Sequence, residues 1–309
     1  MAESKYAKYI ISRAKPLPAE FQEKSESDRK TGKLTLESVH LMSVDDEVVE
    51  GFFYVDCTWL WSGFGVNPIE KPHVHDFNEV IGFVGSNRDD PHDLGGQITI
   101  WLDGNKEVLT RSCLIFIPAG TKHCPIQFNR IDRPVFFVVI EPTGKHTWNT
   151  GAGEAGVRPG GPKYTIITET KQRFNVAASG GEAPPPPPPD SNLKSARILH
   201  LEDDIARGSF YVDFVWIYEG TGAAPAPEHS HKWPELIAMA GCDPENPRSL
   251  GGKMSIVLGD ETYIIEKSSL VCIPKGLKHC PWKFLDIKKP TLVFTAGPSG
   301  MYTGTHKKD

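Results

Sequence analysis

The sequence predicts an all-β protein in two similar halves, each half a β-sandwich or β-barrel. Three observations predict it. The chain repeats itself, its apolar segments are short and rich in β-branched and aromatic residues, and turn residues are abundant, with 29 Gly and 26 Pro among 309 residues. That length suits about two domains. With 39% apolar and 24% charged residues the composition is that of a globular chain with a core, which excludes a wholly disordered one.

The repeat orders everything else. Residues 73–128 and 229–284 align without a gap at a constant offset of 156, and about twenty of some fifty-six positions are identical. Upstream, after a one-residue shift, FYVDCTWLWSGFG (Phe53 to Gly65) pairs with FYVDFVWIYEGTG (Phe210 to Gly222). Further back, LESV at Leu36 pairs with LKSA at Leu193, and Lys8-Tyr9-Ile10-Ile11 resembles Lys163-Tyr164-Thr165-Ile166. The boundary falls in the Gly-rich stretch from Asn149 to Lys163, giving domains 1–152 and 153–309. The proline run Pro184 to Pro189, a polyproline II segment by composition, lies inside the second repeat. There it replaces the charged loop EFQEKSESDRKTGK of the first, so it reads as a solvated surface loop.

The strands follow in chain order. GFFYVDCTWLW, EVIGFV, GQITIWL, CLIFIP and VFFVVIE in the first half have partners SFYVDFVWIY, ELIAMA, GKMSIVL, SLVCIP and TLVFTAG in the second. Each is bounded by Gly, Pro, Asp or Asn, and no long amphipathic helical pattern interrupts them.

Between these strands each half carries His-x-His-x-x-x-Glu and, some forty residues later, Pro-x-Gly-x-x-His. The residues are His73, His75, Glu79 and His123, then His229, His231, Glu235 and His279. On a strand the first three differ by even steps and would share one face. The Pro-x-Gly bend would bring in the last histidine from a facing strand. Three imidazoles and a carboxylate suit a divalent transition ion, with iron favoured and Mn, Ni, Co or Zn as alternatives. Four protein ligands leave open positions, unlike a closed structural zinc site. Residues between the ligands vary freely (Val74 becomes Ser230, Asp76 becomes Lys232), so the shared spacing is the informative part.

These motifs resemble those of the cupin superfamily, and their duplication resembles a bicupin. HVHDFNE and HSHKWPE match the first cupin motif, and IPAGTKH and IPKGLKH match the second. Glycines usual in the family fall at Asn67, Ala223, Ser112 and Ser268. The resemblance implies an antiparallel barrel or jelly roll per half, with one ion inside each. It also implies an oxidoreductase of the dioxygenase type, with oxalate-decarboxylase-like chemistry, an isomerase, or a non-catalytic metal and ligand binder as alternatives.

Other residues invite two readings. Cys124 and Cys280 follow ligand histidines. One reading is a thiol near the metal; the other is a packing cysteine, since strand alternation would turn both outward. The loops GSNRDDPHDLGG and GCDPENPRSLGG read as shaped turns, or as lids with Arg88 or Arg248 anchoring a carboxylate. Trp59, Trp216, Tyr54 and Tyr211 read as core, or as pocket wall; Asp56 and Asp213 read as hydrogen-bonding residues. Glu107 becomes Tyr263, so it marks no shared acid.

A net charge of −5, from 34 basic and 39 acidic residues, argues against nucleic acid as a partner. The longest apolar run, Val135 to Ile140, is too short for a bilayer. The start MAESKYAKYIISRAKP lacks an apolar leader segment, and the six cysteines form no dense framework, which leads us to expect a cytoplasmic chain. The expected partner is a small-molecule substrate, with homo-oligomerisation left open.

Overall fold

A computed structural model describes residues 4–66, 71–147, 163–170, 191–224 and 226–302. The described residues form two compact units. One, the N-terminal barrel, comprises Ala14–Asp45 and Tyr54–Glu169; the other, the C-terminal barrel, comprises Met1–Arg13, Asp46–Phe53 and Thr170–Asp309. The expected boundary at 152/153 and the proline run lie outside the described residues.

The chain order is β1 (Ile10–Ile11), α1 (Ala19–Lys30), β2 (Glu37–Val44), β3 (Tyr54–Val66), β4 (Glu79–Gly85), β5 (Asp93–Leu102), β6 (Asn105–Arg111), β7 (Cys113–Ile117), β8 (His123–Ile131), β9 (Val135–Glu141) and β10 (Thr165–Ile167). The second series is β11 (Lys194–Leu201), β12 (Tyr211–Ala223), β13 (Glu235–Gly241), β14 (Ser249–Leu258), β15 (Glu261–Lys267), β16 (Ser269–Ile273), β17 (His279–Ile287) and β18 (Thr291–Gly297). Each unit is one curled antiparallel sheet. Their orders are β10-β7-β4-β9-β3-β8-β5-β6 with β2 on β3, and β1-β16-β13-β18-β12-β17-β14-β15 with β11 on β12. The expected all-β duplication is therefore observed strand for strand.

The curl comes from β3 and β12. β3 pairs with β9 through residues 54–60, then with β8 from Gly63 onward; β12 does the same with β18 and then β17. At the bend Gly63 has φ +100° and Gly220 φ +107°. A Cβ on Gly63 would lie 2.5 Å from the carbonyl oxygen of Thr35, so only glycine fits both the dihedral and the space.

The ends of the two repeats are exchanged. β1, from the extreme N-terminus, pairs with β16, while β10 pairs with β7. Ile10 and Tyr6 pack on the C-terminal core; Tyr164 and Ile166 pack on the N-terminal core. The units thus differ from halves cut at 152/153.

The charged segment expected to be a loop is corrected in part: residues 19–30 form helix α1, with no buried residue. Its Glu, Gln, Lys and Arg are good helix formers, and Lys24 pairs with Asp28 one turn on. It has no apolar stripe, so hydrophobic periodicity had nothing to detect. Among the described residues no helix is long and apolar enough to cross a membrane.

Candidate metal centres

The eight motif residues converge in two clusters, one per barrel, and none is more than 5% exposed. They do not converge by strand alternation, and that expectation is corrected. β4 and β13 begin only at Glu79 and Glu235. His73 and His75 precede the strand in an irregular segment, and so do His229 and His231. Backbone bonds hold these segments in place. His73 and His123 exchange N–H···O bonds of 3.1 Å, and His229 and His279 bonds of 3.1 and 2.9 Å. The Pro-x-Gly turns clamp the second histidine: the N–H groups of Gly120 and Gly276 donate to the carbonyls of His75 and His231 at 2.7 and 2.9 Å.

The imidazoles are oriented from behind. Nδ1 of His73, His123, His229 and His279 donates to the carbonyl of Lys71, Thr121, Pro227 and Leu277 respectively. Each Nε2 then presents a lone pair to the barrel interior.

In the C-terminal cluster, donor atoms of all four residues lie within 4.8 Å of one another. Glu235 Oε2 is 2.8 Å from His279 Nε2 and 3.2 Å from His231 Nε2. In the N-terminal cluster His75, Glu79 and His123 meet that spacing together, while His73 meets it with His123. There His73 Nε2 is 3.1 Å from His75 Nε2, and Glu79 Oε2 is 3.0 Å from His123 Nε2 and 4.0 Å from His75 Nε2.

These spacings fit an ion. Adjacent corners of an octahedron with bonds of about 2.1 Å are about 3 Å apart. The buried oxygens Glu79 Oε2 and Glu235 Oε2 and the nitrogen His279 Nε2 make no hydrogen bond, despite their short contacts. Such orphaned buried acceptors are costly unless something between them satisfies them. Protonation agrees: burial drives His73 and His229 down to about 4. Burial by itself would raise both carboxyls, yet the facing histidines hold Glu79 and Glu235 at about 2. Neutral His73 and His229 beside an ionised carboxylate favour the uptake of a cation.

Three further residues belong to these clusters, and motif reading missed them. His146 lies with its ring 5.5 Å from that of His75, and its Nδ1 pairs closely with the buried carboxylate of Glu141. Burial pushes Glu141 up to about 7, against the pull of His146. At the same offset of 156, Glu141 corresponds to Gly297 and His146 to Tyr302. The Tyr302 hydroxyl sits 3.1 Å from His229 Nε2. The signal that could have found them is the frame around them, since Pro142 and Gly144 recur as Pro298 and Gly300.

The other sequence candidates also find places. Cys124 and Cys280 are buried, but the outward direction is corrected: their φ values of +72° and +73° break the alternation, and the Cys124 sulfur lies within 4.8 Å of donor atoms of His73 and His123. Tyr54 stacks on His146 and Tyr211 packs against Tyr302, so both act as wall; Trp59 and Trp216 are fully buried. Asp56 bonds His40 and Asp213 bonds Arg197. The loops are shaped turns. Ser112 and Ser268 each accept from the first strand's last N–H, at Gly85 and Gly241, and donate to Pro91 and Pro247. Arg88 and Arg248 are exposed, and Arg248 donates to the carbonyl of Ser12. Glu107 accepts from Tyr164, away from the cluster.

No protein-family model and no curated protein matches the sequence. Solved structures share the fold. An oxalate decarboxylase studied for its substrate binding mode and a reaction specificity switch aligns at TM-score 0.50 and 12% identity, over 87% of this chain and 76% of its own. The formate complex of Lactobacillus farciminis oxalate decarboxylase aligns at TM-score 0.50 and 11% identity, over 87% and 86%. AerE from Microcystis aeruginosa aligns at TM-score 0.48 and 11% identity, over 94% and 99%. At such identities the likeness is one of fold. Two curled antiparallel sheets, built from one repeated sequence with both motif pairs seated inside them, give this chain the fold of a duplicated cupin.

Proposed function

We propose that the protein is a metal-dependent enzyme acting on a small carboxylate, and that decarboxylation of the oxalate type is the reaction. The observation that carries the reading is the pair of donor sets, each with a buried carboxylate oxygen, Glu79 Oε2 or Glu235 Oε2, that no hydrogen bond satisfies. His73, His75, Glu79 and His123 would hold one ion, and His229, His231, Glu235 and His279 a second. The donors suit Fe, Mn, Ni, Co or Zn. The shared fold with oxalate decarboxylases supports this reaction class, and nothing in the comparison supports the dioxygenase expected first.

A bound ion would supply Lewis acidity toward a substrate carboxylate. The chain supplies the rest. Burial of all eight donors excludes bulk water, which strengthens every charge interaction inside. The four backbone carbonyls behind the imidazoles fix which nitrogen faces inward.

The test is elemental analysis of protein purified from its native host, with oxalate and related small acids assayed for gas exchange. The expected outcome is two ions per chain and carbon dioxide release without net oxygen consumption. Substrate-dependent oxygen uptake would establish the dioxygenase instead, and tight acid binding without turnover a carrier.

A further inference from the structure

Glu141 ends strand β9 with its side chain fully buried, and only one of its two oxygens is engaged. Oε1 pairs closely with Nδ1 of His146. Oε2 is buried and makes no hydrogen bond among the described residues. Wherever the proton lies along the bond between Oε1 and Nδ1, Oε2 carries lone pairs and no hydrogen. It is a buried acceptor in want of a donor, which is costly until one arrives.

This acceptor lies against the N-terminal donors. Donor atoms of Glu141, His146 and His75 lie within 4.8 Å of one another. Tyr54 stacks on His146 with ring centroids 5.1 Å apart, and Phe77 stacks on His75 at 4.7 Å, so aromatic rings brace both histidines. The repeat shows how near to the second motif histidine this position is. The counterpart of Glu141 is Gly297, and there the ring of Trp233, stacked on His231 at 4.2 Å, takes up the space: a Cβ on Gly297 would lie 2.1 Å from Trp233 Cζ3.

A small acid held beside His75 can turn one of three groups toward Oε2. A second carboxylate meets like charge. A methyl or ether leaves the acceptor unpaired, and a hydroxyl pairs it. We infer that Glu141, positioned by His146, forms a subsite for a hydrogen-bond donor and selects small acids that carry an O–H next to the carboxylate, the chemistry shared by hydrogen oxalate and 2-hydroxy acids. This rests on the proposal of metal-bound small carboxylates and narrows which of them fit.

The experiment titrates the full chain, loaded with Co(II), with glycolate and with methoxyacetate in a calorimeter. Both acids offer a carboxylate and a neighbouring oxygen, but only glycolate has the O–H. Metal content is measured first, and two ions per chain are expected both in the natural chain and in Glu141→Gln. Glycolate is expected to bind at least about tenfold tighter than methoxyacetate, and to keep that preference in His231→Ala. Glu141→Gln preserves size but, with its carbonyl toward His146, presents NH2 donors in place of Oε2, so the preference is expected to disappear or invert. A preference set only by the bulk of the methyl group would survive that change. Oxalate, titrated alongside, tells the two sources of the O–H apart: binding tighter than glycolate assigns it to a carboxyl, and weaker binding to an alcohol. Equal affinity for glycolate and methoxyacetate, loss of the preference in His231→Ala, or its survival in Glu141→Gln overturns the inference and leaves metal binding intact. Binding of none of the three acids at full metal content overturns the small-carboxylate reading, and fewer than two ions per chain overturns the metal proposal; either takes this inference with it.

Discussion

Gly297 and Trp233 show how one missing side chain can decide the wall of a site. The clash at 2.1 Å is with a rigid ring held against His231, so neither partner can give way cheaply. Gly297→Ala is therefore expected to destabilise the C-terminal barrel by about 1–3 kcal/mol, the usual cost of overpacking. Trp233→Phe, which copies the other barrel, is expected to relieve most of that cost in the double variant. A thermodynamic cycle from chemical denaturation checks it, and additive effects would mean that the two residues do not compete for the space. For the ligands, His75→Ala and His231→Ala are each expected to lower bound metal by about one ion per chain, since removing one of four donors opens the shell. Elemental analysis of each variant decides, and full metal content in either removes that histidine from the donor set. These eight residues were legible because the repeat keeps them identical. Glu141, His146 and Tyr302 were not, because a search for recurrence passes over the positions where two copies have diverged.

At the scale of elements, most strands were legible from short apolar runs between turn residues, since alternation and β-branching are local properties. What escaped was non-local or non-periodic. The helix Ala19–Lys30 lies on the surface with no apolar face, and its only signal was propensity. The His-x-His segments are shaped by bridges to strands some fifty residues away, not by their own pleat. The exchange of β1 and β10 was hidden too: Lys8-Tyr9-Ile10-Ile11 was matched to its counterpart, but similarity does not say which sheet edge each copy joins. The placement of β1 has a measurable consequence. Ile10 and Ile11 cover Val271 and Leu270 on the edge strand β16, and an uncovered edge opens more readily. Deleting residues 1–13 is expected to speed amide exchange across Ser269–Ile273 at least about tenfold, or about 1.4 kcal/mol of lost local stability. Exchange in Cys113–Ile117, which β10 covers, is expected to stay unchanged. Exchange mass spectrometry of the truncated chain reads both, and equal protection of β16 with and without the segment would mean that the pairing contributes nothing.

On the scale of the whole molecule, duplication makes two cores carry two charged clusters, and the clusters tax the cores. Each cluster buries a carboxylate with no hydrogen bond to one oxygen, at 3% exposure for Glu79 and 2% for Glu235. A buried charge that lacks its counter-ion is destabilising by several kcal/mol, and apolar cores of ordinary size must offset it. An ion that binds the folded chain alone stabilises it by mass action, by about 2.7 kcal/mol when free metal is a hundredfold above the dissociation constant. In a unit of roughly 150 residues that corresponds to about 5–10 °C in Tm. Scanning calorimetry is therefore expected to show both barrels melting lower in excess chelator and recovering when divalent metal is restored. In His231→Ala only the N-terminal barrel should keep its metal-dependent shift, and in His75→Ala only the C-terminal one, because each donor set closes within its own unit. A melting profile indifferent to chelator would mean that the short contacts between Glu79 and His123, and between Glu235 and His279, are ion pairs that suffice by themselves.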